Sequence, residues 1–184
     1  MRLIIAAFLI TSLNCTAQVI ENFSMTNVLD GKTITLEGYS SSTGIVIIFT
    51  SINCPYDGYY LSRIKELAEK NGKVPVLLVN SSSSESIEQM KRFVEQNSIR
   101  IPYLADQERK MFTSLNPRKS PECFLLQNRV GKFNVVYRGA IDDNPQTSSE
   151  VNQQYLKNAI ENMIANQKIG TPDVRPVGCS IPKN

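Results

Sequence analysis

The sequence contains no histidine. That absence excludes Ser-His-Asp and Cys-His catalytic pairs, imidazole general bases and histidine-ligated zinc. A reactive cysteine must then be activated by backbone dipoles, by lysine or arginine, or by a carboxylate that accepts its proton. Charge of one sign is scarce too: 20 Lys and Arg against 17 Asp and Glu leave a net +3 over 184 residues. No Lys/Arg stripe with interleaved aromatics accompanies it, so nucleic acid is not an expected partner and the charge serves solubility. Internal repeats, low-complexity tracts and interdomain linkers are also missing. A chain of this length with 41% hydrophobic residues is long enough for one domain with its own core.

Long apolar runs are scarce. LIIAAFLI, residues 3–10, is too short to span a bilayer. Arg2 precedes it, and Cys15-Thr16-Ala17 forms a small-x-small pattern before Gln18. Residues 1–17 therefore read as a signal peptide, and the mature chain as exported, periplasmic or secreted, without a membrane span. A second reading makes Cys15 the lipidated N-terminus of a lipoprotein. Asn14 before it is bulkier than the small residue expected there, which favours simple cleavage. Cleavage leaves Cys54, Cys123 and Cys179. An odd count in an exported protein leaves one thiol over unless chains pair.

What is present is a regular alternation of elements. Asp30-Gly31 between alternating stretches predicts a β-hairpin near the N-terminus. GIVIIFTS (44–51) and VPVLLVN (74–80) are β-branched apolar runs, as expected of strands buried on both faces. Between them Tyr59, Tyr60, Ile64, Leu67 and Ala68 share one helical face, with Pro55 at the first helical position. A helix marked by Ile87, Met90, Phe93 and Val94 follows the serine-rich SSSSES. After it come the short segment IPYLAD, a short helix near Met111, the loop NPRKSP, and a hairpin of CFLLQ and FNVVYRG. A last amphipathic helix spans roughly Glu150 to Ala165, at the boundary precision such patterns carry. The expected fold class is α/β, a central mixed sheet flanked by helices. The domain covers 18–170, and 171–184 reads as an irregular tail.

This order, with Cys-Pro after the first central strand and Ser-Pro before the antiparallel hairpin, resembles the thioredoxin fold. FTSINCPYDGYY, IPYLAD, VYRGAIDD and the tail RPVGCSI together are similar to the bacterial peroxiredoxin-like branch of the AhpC/TSA redoxin family. The resemblance implies that Cys54 matches the first cysteine of the thioredoxin CxxC, with Asp57 where the second would stand. It also implies that the Ser120-Pro121 loop, with a cis-proline, faces Cys54. Pro55, Tyr56, Asp57, Ser120 and Pro121 are then the candidate substrate-binding residues, and Arg118 and Lys119 would add positive potential. Peroxiredoxins resemble P-x-x-x-T-x-x-C with a later arginine. Here Ser51 stands for the threonine, Ile47 occupies the proline position, and no arginine begins the CFLLQ strand. These departures weigh against peroxidase chemistry.

Each cysteine carries a functional and a plain reading. Cys54 opens a helix, where unpaired N–H groups and the dipole favour a thiolate nucleophile. Its plain reading is a small hydrophobe at a strand end. Asp57, one turn in, opposes the thiolate electrostatically or serves as proton acceptor. Cys179 is either a resolving thiol for Cys54 or a tail anchor, because sequence alone does not fix pairing. Cys123 lies on one strand face with Leu125 and reads as core, with a resolving role as the sharper alternative. The function expected is thiol–disulfide exchange on a protein or small-molecule substrate, with an external reductant and without metal or cofactor. The rivals are a thioredoxin-fold binding module that has lost turnover and a weak thiol peroxidase.

Overall fold

Short alternating segments build the edges of the sheet and continuous apolar segments build its centre. The structure, a computed structural model, describes residues 18–182; the signal read over 1–17, with Cys15, lies outside the described residues. β1 (Val19–Ile20) is followed by β2 (Ser24–Asn27) and β3 (Thr33–Thr35), an antiparallel hairpin across Asp30-Gly31. Gly31 takes φ 71°, and the Asp30 carboxylate accepts from Asn27 Nδ2 and the Lys32 amide, so both turn residues have a defined task.

β4 (Gly44–Phe49) is wholly buried, as its unbroken β-branched run requires. The chain then enters α1 (Pro55–Lys70), β5 (Val76–Asn80) and α2 (Ile87–Gln96). Ser86 and Gln89 close α2 with a reciprocal capping box. β6 (Tyr103–Ala105), α3 (Lys110–Leu115), β7 (Lys119–Ser120), β8 (Glu122–Arg129) and β9 (Lys132–Gly139) follow. α4 (Tyr155–Ile164), β10 (Asp173–Val174) and β11 (Cys179–Ser180) complete the order.

The main sheet runs β1-β9-β8-β4-β5-β6-β2-β3, with β10 added on β9. β4, β5 and β6 are parallel, and β8 lies antiparallel to β4. The sheet separates two cores. Val46, Ile48, Leu78 and Leu125 face α1, α2 and α4, whereas Ile47, Phe49, Leu77 and Phe124 face α3 and the N-terminal segment. This is a mixed α/β sheet flanked by helices, with the N-terminal hairpin at one edge.

Three expectations need correction. Tyr59 is 49% exposed, because Tyr60 and Ile64 take the buried stripe of α1 and Tyr59 lies about a quarter-turn away. α4 starts at Tyr155 rather than near Glu150: Ser148–Glu150 form a 3-10 turn and Val151 is extended, which lets the Asp143 amide donate to the Gln153 carbonyl. The tail is not irregular throughout. β10 pairs parallel with β9, and β11 pairs antiparallel with β7.

Candidate active site

β4 delivers the chain to a short loop, and Cys54 becomes the N-cap of α1 with Pro55 as its first helical residue. Pro55 is exposed there and lacks only an N–H that would be unpaired anyway. Cys54 is 5% exposed. Its sulfur is bonded to Cys179 at 2.03 Å across a sequence separation of 125.

The loop before Cys54 is held by one carboxylate. Glu85, buried after β5, accepts from Ser51 Oγ at 2.6 Å, the Ile52 amide at 3.1 Å and Asn53 Nδ2 at 3.0 Å. It also takes the Asn53 amide at 3.3 Å and Asn80 Nδ2 at 2.6 Å. Several donors on one buried carboxylate offset its desolvation and fix the backbone that aims Cys54. Nothing local in SSSSES marks this glutamate as buried, since a lone acidic residue among serines before a helix reads as surface.

Asp57 is also buried, at 4% exposure, and its amide donates to the Cys54 carbonyl at 3.1 Å. Burial pushes its carboxyl up to about 7; the Ser120 hydroxyl, and weaker influences from Thr50 and Ser51, pull it back. Ser120 Oγ donates to Asp57 Oδ2 at 2.6 Å, and Oδ1 is buried without a hydrogen-bond partner. Ser120 also places its carbonyl oxygen 3.2 Å from Cys54 Sγ. In the disulfide that sulfur carries no hydrogen, so this is a contact; in the thiol form it becomes a hydrogen bond. A carboxyl that exchanges its proton near neutrality therefore lies one helical turn from the sulfur, with Ser120 touching both.

The Ser120-Pro121 peptide is cis, and both residues are buried. Cys179 is the residue paired with Ser120 in the β11–β7 ladder. Gly178 before it packs so closely that an added Cβ would lie 2.2 Å from the Ser120 carbonyl oxygen. The cavity beside the disulfide, lined by Thr50, Ser51, Ser120 and Cys179 among others, holds about 40 Å³. That is room for a water molecule or two, not for a substrate. A cavity of about 440 Å³ lies elsewhere, between α1 and the segment from Ile141 to Glu161, and no cysteine lines it.

Of the residues singled out from sequence, Cys54, Asp57, Ser120, Pro121 and Cys179 converge here. Tyr56 lies half-buried on the first turn of α1, edge-to-face against Tyr59 at 6.1 Å. Arg118 does not lend its charge to the sulfur: it is bound by Glu122 at 2.7 Å and Asp173 at 2.8 Å. Lys119 Nζ donates to Ser180 Oγ at 3.0 Å. Cys123 is fully buried, its Sγ lies 3.0 Å from the Gly139 carbonyl oxygen, and burial raises its thiol well above the ordinary range. It belongs to the core.

A parallel β4–β5–β6 centre, a cysteine at the N-terminus of the following helix and a cis-proline loop opposite define a thioredoxin-like redox protein. The chain belongs to the AhpC/TSA family, whose family model matches residues 16–140. No curated protein matches it. Among solved structures it is similar to an uncharacterised conserved protein from Geobacillus kaustophilus (24% identity, 91% of this chain and 92% of that one, TM-score 0.81). It is also similar to an exposed lipoprotein thioredoxin of Streptococcus pneumoniae (20%, 77% and 99%, 0.61). A third likeness is to a secreted disulfide oxidoreductase of Mycobacterium tuberculosis (16%, 78% and 95%, 0.55). At these identities the likenesses speak for the fold alone. Among the described residues no helix is long and apolar enough to cross a membrane.

Proposed function

We propose that this protein is an exported thiol–disulfide oxidoreductase in which Cys54 is the nucleophile and Cys179 the resolving thiol. The observation that carries this reading is the Cys54–Cys179 bond at the N-terminus of α1, beside a carboxyl that titrates near 7. Export rests on residues 1–17 and on the secreted and surface-exposed proteins among the structural relatives.

In the reduced protein Asp57 accepts the Cys54 proton, and the thiolate attacks one sulfur of a substrate disulfide. A mixed disulfide forms and the other substrate sulfur leaves as a thiolate. The Cys179 thiolate then attacks Cys54 Sγ, the substrate's second thiolate departs, and the Cys54–Cys179 bond closes. The net change oxidises two protein thiols and reduces one substrate disulfide. An external dithiol reverses it, and a protonated Asp57 can then supply the leaving sulfur with a proton. Of the residues expected to meet the substrate, Pro55 is exposed and Tyr56 half-buried beside Cys54, whereas Ser120 and Pro121 are buried and would act through the contacts of Ser120 with Cys54 and Asp57.

Mass-spectrometric thiol mapping of the mature protein in oxidising and reducing buffer tests the reading. A reversible Cys54–Cys179 bond, with disulfide-exchange activity abolished by Cys54→Ser, is the expected result. Three free thiols with no exchange activity would instead identify a binding module that has lost turnover.

A further inference from the structure

Two arginines each bind the body of the domain and the tail at once. Arg118 donates Nε to Glu122 Oε1 at 2.9 Å, and its Nη2 contacts Asp173 Oδ1 at 2.8 Å and the Val174 carbonyl at 3.3 Å. Glu122 is wholly buried on β8, so that end is fixed. Arg109 donates Nη1 to the Ser81 carbonyl and Nη2 to the Pro182 carbonyl, both at 2.6 Å, with its guanidinium 3.8 Å over the Phe112 ring. Cys179 lies between these two points. Neither arginine contact involves a sulfur, and neither does the Lys119–Ser180 bond or the seat of Gly178 against Ser120. All of them are available to the reduced chain.

We propose that Arg109 and Arg118 are positioning residues that keep the tail docked when the disulfide is open, so that the Cys179 thiol stays seated at Cys54. The proposal rests on the oxidoreductase reading above and specifies how its second half-reaction is made fast. A tethered thiol attacks at an effective concentration set by how tightly its segment is held. A free tail would visit Cys54 only occasionally, and the mixed disulfide would wait for an external thiol. With the tail held at both ends, closure of Cys54–Cys179 and release of the substrate thiolate compete well.

The test equilibrates the full mature chain in glutathione buffers of defined ratio and quantifies, by alkylation and mass spectrometry, the closed bond and the glutathione adduct of Cys54. In that buffer two protein thiols reduce one glutathione disulfide to two glutathione thiols. Arg109→Ala removes one anchor. Asp173→Asn weakens the other while leaving Arg118 on buried Glu122, so the core pair is undisturbed. Each change is expected to lower the closure equilibrium constant about two- to tenfold, within the range of exposed ion pairs and charged hydrogen bonds. The glutathione adduct of Cys54 should rise correspondingly. A merely structural role would lower thermal stability in both redox states and leave that constant unchanged. An unchanged constant in both variants, with a wild type that closes normally, would overturn the positioning role and leave the oxidoreductase reading intact. A wild type that never closes the bond would remove both.

Discussion

At Asp57 burial opposes ionisation, and the carboxyl titrates at about 7 instead of near 4. Between those values the folded chain retains a proton that the unfolded chain has released. Stability from this group is therefore greatest below about pH 4 and falls as pH rises to about 7, by on the order of a few kcal/mol. Asp57→Asn removes the penalty and keeps an acceptor for the Ser120 hydroxyl. Denaturation of oxidised protein at pH 8 should find the variant more stable than wild type by about 1–4 kcal/mol, with the two converging toward pH 4. The same change should slow attack on a disulfide probe by about tenfold or more and remove the rise in rate around pH 7. A variant that is both less stable at pH 8 and equally active would refute the assignment. Cys123 behaves oppositely, since its raised, fully buried thiol has no route to reactivity. Iodoacetamide should label Cys54 and Cys179 in the reduced native protein and reach Cys123 only after unfolding.

Between β4 and α1 the backbone is aimed by Glu85 rather than by its own sequence. Glu85→Gln keeps the shape, loses the charge, and turns one acceptor oxygen into a donor facing Ser51, Ile52 or Asn53. We expect a loss of about 1–3 kcal/mol in stability. Faster amide exchange at Ile52 and Asn53 and slower disulfide exchange should accompany it, and unchanged exchange at those amides would show that the loop holds itself. This marks the division between what was legible in the sequence and what was not. β4, β5, the Asp30-Gly31 hairpin and α1 were legible because hydrophobic periodicity, Asp-Gly and Cys-Pro are local signals. Cys54 could be singled out for the same reason, whereas Asp57 and Ser120-Pro121 became site candidates through the family resemblance, which placed the loop opposite the cysteine. Glu85 and Arg109 were not, because their roles depend on partners brought together only by the fold. The pairing of Cys179 stayed open on like grounds: nothing near Gly178-Cys179 says which strand it will lie against, and β7 is only two residues long.

Across the whole molecule the Cys54–Cys179 bond joins the first βα turn to the last described strand, closing everything from α1 to β11 into one loop and leaving β1 to β4 outside it. A crosslink of this kind acts chiefly on the unfolded state, and for a separation of 125 it is worth roughly 4–5 kcal/mol in the chain-entropy treatment. The native side of the balance changes little on reduction if the arginine anchors and the β11–β7 pairs remain, so most of that effect should be visible. Reduction with a strong dithiol should lower the melting temperature by about 8–20 °C, using the usual 2–4 °C per kcal/mol for a chain of this size. The Cys54→Ser, Cys179→Ser double variant should melt where the reduced wild type does and ignore the dithiol. A drop well beyond that range would mean that reduction also undocks the tail and exposes the surface under it, because lost native contacts then add to the unfolded-state effect. The size of the shift, compared between wild type and Asp173→Asn, therefore separates a crosslink that only restrains the unfolded chain from one that alone holds the tail in place.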